Sequence, residues 1–353
     1  MMMRTSVRAA CLLAALAFPA CGGNQSPSGQ QNGSPAQSAI QINGAGATFP
    51  NPIYSKWFSE YNKLHPNVQI NYQPIGSGGG IRQLTAQTVF FGASDAPMTD
   101  EQIKAAPGAV LHLPTVLGAV VPVYNLEGVT DVKFTGPVLA DIYLGKIKKW
   151  NAPAIAALNP GVKMPATDIS VVHRSEGSGT TFIWVDFLAK VSPEFQKQVG
   201  VAASVNWPAG VGGKGNDGVA GLVSQTPGAL GYVELIYALN NKLAFGAVQN
   251  AAGDFVKASP ESVTKAAGGA TIPPDFRVSI TNAPGAGAYP VSSFTWLLLF
   301  ESPMDKAQAK VMVDFMKWAI SDGQKFATEL GYAPLPQTVV SPEMSALEKI
   351  KVS

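Results

Sequence analysis

The sequence predicts an α/β fold with largely parallel sheets, on three observations. Helix-like and strand-like stretches alternate along most of the chain. Glycine-rich turns recur where a strand pattern gives way to a helix pattern. One such junction, Val172-His173-Arg174-Ser175-Glu176-Gly177-Ser178-Gly179-Thr180-Thr181, sets an arginine four residues before a Ser-Gly-Thr run.

The globular part begins near Ile40. Pro52 to His65 reads as a helix, with Ile53, Trp57, Phe58, Tyr61 and Leu64 on one face and Pro66 ending it. Val68 to Tyr72 alternates like a strand. Gly76-Ser77-Gly78-Gly79-Gly80 reads as a tight loop, and a helix starts over Ile81 to Thr85. Phe90 to Asp95 is a short strand ending at a carboxylate. Val110 to Val123 is an apolar strand, and Val138 to Leu144 and Ala152 to Leu158 look helical. Ile169 to His173 is the strand that enters the Arg174 loop. Phe182 to Lys190 has helical apolar spacing. Ser293 to Phe300 reads as an apolar strand, and Lys306 to Ile320 as an amphipathic helix.

The chain has 353 residues, 46% hydrophobic and 14% charged. That length buries a large core and suggests two domains. Lys plus Arg total 25 and Asp plus Glu 23, with no polybasic run, which argues against a nucleic-acid partner. His65, His112 and His173 are scattered and neither cysteine lies near one, so no zinc site and no cofactor is expected.

Residues 1–20 read as a signal peptide: Arg4 and Arg8 form the basic segment and Ala9 to Ala17 a short apolar one. Phe18-Pro19-Ala20-Cys21-Gly22-Gly23 resembles the lipobox of bacterial lipoproteins, with Phe18 where leucine is usual. That resemblance implies lipid on Cys21; ordinary cleavage near Ala20 is the other reading. Removing residues 1–20 leaves 23 basic and 23 acidic residues, so an anion must be held by local geometry rather than a global field. Cys11 leaves with the leader, so no internal disulfide is expected. Residues 22–38 are Gly, Ser, Gln, Asn and Pro, apart from Ala36, with no charge, a flexible tether of about 20–25 Å r.m.s. reach.

Four strand-to-helix turns gather hydroxyls, backbone N–H groups or a charge. They are Gly44-Ala45-Gly46-Ala47-Thr48-Phe49-Pro50, Gly76 to Gly80, Ala93-Ser94-Asp95-Ala96-Pro97, and Arg174 to Thr180. In open α/β sheets, ligands bind beyond the carboxyl ends of strands. A helix start attracts anions through its unpaired N–H groups and dipole, and arginine adds a fork of donors suited to phosphate or carboxylate. Capping by Ser178 or Thr180, with Arg174 paired to Glu176, explains the same residues without a ligand. Gly76 to Gly80 is neither a Walker loop nor a Rossmann fingerprint.

At these turns the chain resembles the periplasmic phosphate-binding proteins of high-affinity phosphate ABC transporters. The likeness extends to Tyr143-Leu144-Gly145-Lys146-Ile147-Lys148-Lys149-Trp150-Asn151 and Pro227-Gly228-Ala229-Leu230-Gly231-Tyr232, covering about Ile42 to Pro336 in order. The resemblance implies a two-lobed, type II periplasmic binding protein. Each lobe would be a mixed, mostly parallel sheet flanked by helices, with the ligand in the cleft between them. Lobe 1 is expected over residues 40–114 plus 288–353 and lobe 2 over 115–287, with 21–39 as lipidated cysteine and tether. The implied phosphate contacts are Thr48, the Phe49 backbone N–H, Ser77, Asp95, Arg174, Ser178, Gly179 and Thr180. Glu176 stands where aspartate is common, Phe90 where an acid is common and Gly78 where serine is common.

The resemblance implies a non-enzymatic monomer, anchored by lipid in the periplasm or on the outer face of the cell membrane. It would bind inorganic phosphate and deliver it to permease subunits. Asp95 then acquires a chemical role. Two unit charges about 4 Å apart at an effective dielectric near 20 repel by roughly 4 kcal/mol, so a carboxylate suits an anion that presents a proton. Phosphate does so and sulfate at neutral pH does not. Capping of the turn before Pro97 is the other reading of Asp95. Another tetrahedral oxyanion, a phosphate-sensing lipoprotein and a periplasmic phosphatase remain as alternatives. The last would need a nucleophile with a base or metal ligands.

Overall fold

The computed structural model describes residues 39–353; the expected signal peptide, Cys21 and the tether through residue 38 lie outside the described residues. The chain opens with β1 (Ile40–Gly46), α1 (Asn51–Leu64), β2 (Val68–Pro74), α2 (Ser77–Thr85), β3 (Phe91–Ser94) and α3 (Asp100–Ala105). The long β4 (Val110–Tyr124) leads to β5 (Lys133–Phe134), α4 (Gly136–Tyr143), α5 (Pro153–Ala156), β6 (Ser170–Arg174), α6 (Gly179–Val191) and α7 (Pro193–Gln198). Next come β7 (Val211–Gly213), α8 (Gly215–Gln225), β8 (Ala229–Glu234), α9 (Leu235–Asn240), β9 (Ala244–Phe245), β10 (Ala247–Gln249), β11 (Phe255–Val256) and α10 (Pro260–Ala267). β12 (Ser292–Phe300), α11 (Lys306–Ala319) and α12 (Gln337–Leu347) complete it.

The main sheet runs β2-β1-β3-β12-β4-β8-β6-β7, with β9 added beside β4. It is mixed: β1 pairs in parallel with β2 and β3, and β6 with β7 and β8, whereas β12 and β4 bring antiparallel pairing to the centre. β4 is shared between neighbours. Its residues 110–119 lie against β12 and its residues 120–124 against β8. Nearly all of it is buried, as its unbroken apolar run requires.

α1 forms where expected because proline is tolerated in the first turn and one face carries Ile53, Tyr54, Trp57, Phe58 and Tyr61, all buried. The Trp57 indole N–H donates to the Gly323 carbonyl at 2.7 Å, pinning this helix to the segment after α11.

One detail differs from expectation, and a second bears on the site without having been expected. The glycine run is not a loop: Ser77 is the first residue of α2, and Gly78 to Gly80 are helical. Three helical glycines cost about 1 kcal/mol each relative to alanine. Packing overrides that cost, since a Cβ on Gly80 would sit 2.5 Å from Gly46 Cα and one on Gly79 2.8 Å from Ile75. Second, the β4–β12 ladder slips between Thr295 and Trp296, so that Thr295 faces Val116 while Trp296 faces Pro114. Thr115 is thus the extra residue of a β-bulge next to a proline that cannot donate to the ladder. The Thr115 hydroxyl is held by the Thr295 carbonyl at 3.1 Å and the Tyr54 hydroxyl at 3.0 Å.

Candidate functional site

The four turns read from the sequence lie at strand ends, at β1–α1, at the start of α2, after β3, and at β6–α6. Thr48, Ser77, Asp95, Arg174, Ser178 and Thr180 are all buried, none more than 4% exposed. Burying so many polar groups is tolerated only where each is hydrogen-bonded.

Ser77 joins two of these turns. Its Oγ accepts the backbone N–H of Asp95 at 3.2 Å and that of Gly179, 102 residues away, at 3.0 Å. With both lone pairs taken, the Ser77 hydroxyl has only its proton left to offer. The approach depends on Gly179, where a Cβ would lie 2.6 Å from Asp95 Cβ and 2.6 Å from Ser77 Oγ.

Arg174 is braced as a fork. Glu176 Oε1 accepts from Nε at 3.0 Å and also from Nη2, and it takes the Gly215 N–H at 3.1 Å. Nη1 donates to Thr180 Oγ1 at 3.2 Å. The extra methylene of Glu176 relative to aspartate still allows this brace. The arginine side chain is 1% exposed, so its charge acts in a low-dielectric setting. Behind it, the Tyr232 hydroxyl accepts the Arg174 N–H at 3.2 Å and shares a 2.7 Å hydrogen bond with Thr181 Oγ1. The Tyr232 ring stacks on Trp184, 5.2 Å between centroids, and Trp207 stacks on His173 at 5.2 Å.

Asp95 Oδ1 accepts the Thr295 hydroxyl at 2.8 Å, and the bulge in β4–β12 begins at that threonine. Burial pushes the Asp95 carboxyl up to about 7, against the opposing pull of the Thr295 hydrogen bond, the Arg174 charge, and the Ser77 and Thr180 hydroxyls. The Asp95 side chain is directed to Thr295, across the sheet.

Of the expected residues, Ser77, Asp95 and Gly179 meet directly, and Arg174 meets Thr180. Ser178 caps α6, its Oγ accepting the Thr181 N–H at 3.1 Å. The Phe49 ring is buried near Tyr332, and its carbonyl accepts the Tyr332 hydroxyl at 2.6 Å. Thr48 joins the group through a residue that sequence reasoning missed: Asn216 donates to Thr48 Oγ1 from its backbone N at 3.2 Å and from Nδ2 at 2.8 Å. The Tyr237 hydroxyl holds the Thr48 carbonyl at 2.6 Å. The signal for Asn216 was Gly212-Gly213-Lys214-Gly215-Asn216, a fifth glycine turn between a strand, β7, and a helix, α8. Thr295 carried no local signal. Among the described residues, no three His, Cys, Asp or Glu side chains are grouped to hold a metal ion.

The comparisons with known proteins bear on the chain as a whole. The PBP superfamily domain matches residues 30–323. The phosphate-binding protein PstS of Xylella fastidiosa (strain Temecula1) is 49% identical over 307 residues, 86% of this chain and 83% of the relative. The chain belongs to the PstS family of phosphate-binding proteins. The PstS protein of Pasteurella multocida is likewise 49% identical, over 86% of this chain and 88% of its own length. The crystal structure of the phosphate-binding protein of Stenotrophomonas maltophilia superposes with a TM-score of 0.69 at 18% identity, covering 87% of this chain and 94% of that one. At that identity the likeness shows the fold alone.

Proposed function

We propose that this chain captures inorganic phosphate outside the cytoplasmic membrane and passes it to the permease of an ABC transporter. It acts as a binding component, without catalysis. The observation that carries the reading is the buried Asp95 carboxylate, set among Ser77, Thr180 and Arg174. An all-donor site would take any small oxyanion. A site with one acceptor suits an anion that keeps a proton, as phosphate does and sulfate does not.

In this reading residues 40–114 plus 288–353 form lobe 1 and residues 115–287 form lobe 2. Thr48, Ser77 and Asp95 then belong to lobe 1, and Arg174, Ser178, Gly179 and Thr180 to lobe 2. The Ser77–Gly179 contact supports a closed arrangement. Closure brings the Arg174 fork and the α6 N-terminus to the anion, and excluding water strengthens each contact. The Phe49 N–H adds a further donor. Cys21 is the attachment point of a lipid anchor, with residues 22–39 as its tether, so the protein works at the membrane surface.

Titration calorimetry of the domain against phosphate, arsenate and sulfate tests the ligand. Strong heats with phosphate and none with sulfate are expected; equal binding of both would overturn the reading. Mass spectrometry of the native N-terminus tests the anchor, with diacylglyceryl-modified Cys21 as the expected species and an unmodified terminus as the refutation.

A further inference from the structure

We infer that Asn216 fixes the direction of two hydroxyl protons in the site, making it a specificity-determining residue that acts through Thr48 and Thr180. The inference rests on the phosphate reading above.

The argument is one of valence. A threonine hydroxyl has one proton and two lone pairs. Thr48 Oγ1 accepts from Asn216 N at 3.2 Å and from Asn216 Nδ2 at 2.8 Å. Both lone pairs are filled, so Thr48 meets any third partner as a donor. Thr180 Oγ1 is filled in the same way, by Arg174 Nη1 at 3.2 Å and Asn216 Nδ2 at 3.4 Å. The amide itself cannot turn over. Its Oδ1 accepts the Glu234 backbone N–H at 3.0 Å, which only the oxygen end can do, so Nδ2 must face the two threonines. Asn216 is fully buried, and Gly215 before it has φ +70°, a left-handed residue at the start of α8, where the Gly215 N–H goes to Glu176 and the Asn216 N–H to Thr48.

The consequence is chemical. Hydroxyls left to rotate would accept a ligand proton as readily as donate one. Hydroxyls saturated by Asn216 offer protons alone, so the accepting role falls to Asp95. Asn216 thereby sharpens the division between one acceptor and many donors on which selectivity rests.

A double-mutant cycle tests this. Anion affinity is measured for the parent, Thr48→Val, Asn216→Ala and the double variant, first choosing the anion from phosphate, arsenate and sulfate. Asn216→Ala alone is expected to weaken phosphate binding at least tenfold. In the Thr48→Val background the same change should cost clearly less than in the parent, because one of the two hydroxyls it directs is gone and only Thr180 is left to lose its direction. Additive losses would overturn the inference, as would unchanged affinity in Asn216→Ala. If that variant does not fold, Asn216→Asp carries the cycle. It keeps an oxygen for the Glu234 N–H and replaces the donor with an acceptor, and the coupling term separates the hydroxyl's share from the added charge. A parent that binds none of the anions sinks the phosphate reading and this inference together. A parent that binds, with an additive cycle, sinks this inference alone.

Discussion

Replacing Asp95 with asparagine tests the site at its acceptor. The side chain is buried, and its Oδ1 is committed to the Thr295 hydroxyl at 2.8 Å. Asparagine can keep that bond through its own oxygen, so the NH₂ is left to face the ligand. For phosphate, the lost partner is a charged acceptor of a P–OH proton, worth about 1.5–3 kcal/mol, or roughly ten- to 150-fold in affinity. For sulfate, the change removes repulsion of about 4 kcal/mol at 4 Å and an effective dielectric near 20, close to a thousandfold. The phosphate-to-sulfate ratio should therefore fall by at least about a thousandfold, with phosphate itself losing less than the ratio does. Competition calorimetry at pH 8 measures both constants. Acidification supplies a second arm. Burial holds the parent carboxyl at about 7, so below that pH Asp95 carries its own proton and can donate to sulfate. The parent's discrimination should decline as pH falls through 7, whereas that of Asp95→Asn should change little. A ratio unchanged by the substitution at pH 8 would show that selectivity is set elsewhere, as would a parent ratio that does not decline as pH falls through 7.

Arg174→Ala should weaken phosphate binding at least tenfold by calorimetry while circular dichroism still reports a folded chain, since charged hydrogen bonds are worth about 1.5–3 kcal/mol each. Gly179→Ala places a methyl 2.6 Å from Ser77 Oγ and Asp95 Cβ, across the two proposed lobes; opening of the lobes would relieve the clash, so an overpacking cost of about 1–3 kcal/mol falls on the closed form and affinity should drop roughly five- to 150-fold with the smaller effect on thermal midpoint. Burial raises the Glu343 carboxyl well above the usual range, and neither of its oxygens has a protein partner among the described residues. The folded state therefore holds a proton that the unfolded chain releases near pH 4, and stability falls as pH rises above that point. Glu343→Leu should raise the thermal midpoint more at pH 8 than at pH 4, and an equal gain at both would refute the assignment.

Local pattern explains what was legible. α1, β3, β4, β6, β12 and α11 each show their period or apolar run within a few residues, and Arg174, Ser178 and Thr180 sit close in sequence, from the end of β6 to the first turn of α6. The glycine run was misread because propensity alone makes three glycines a loop, while the requirement that sets α2 is the clearance to Gly46 across the sheet. Thr295 reaches Asp95 over 200 residues, and Asn216 reaches Thr48 over 168. Such pairings are settled by strand order and by the slip in the β4–β12 ladder, neither of which leaves a mark in sequence spacing.

The tyrosine behind Arg174 has an optical consequence. Its hydroxyl touches the Arg174 backbone, and its ring lies flat on Trp184, 13° between planes, with Trp207 5.9 Å away. Indole emission responds to nearby charge and to the polarity around it. If the proposed site takes an anion beside the Arg174 guanidinium, the charge near this stacked pair changes, and titration with phosphate is expected to shift the tryptophan emission. An emission spectrum that does not move on adding phosphate would show that the stacked pair is insulated from the Arg174 loop.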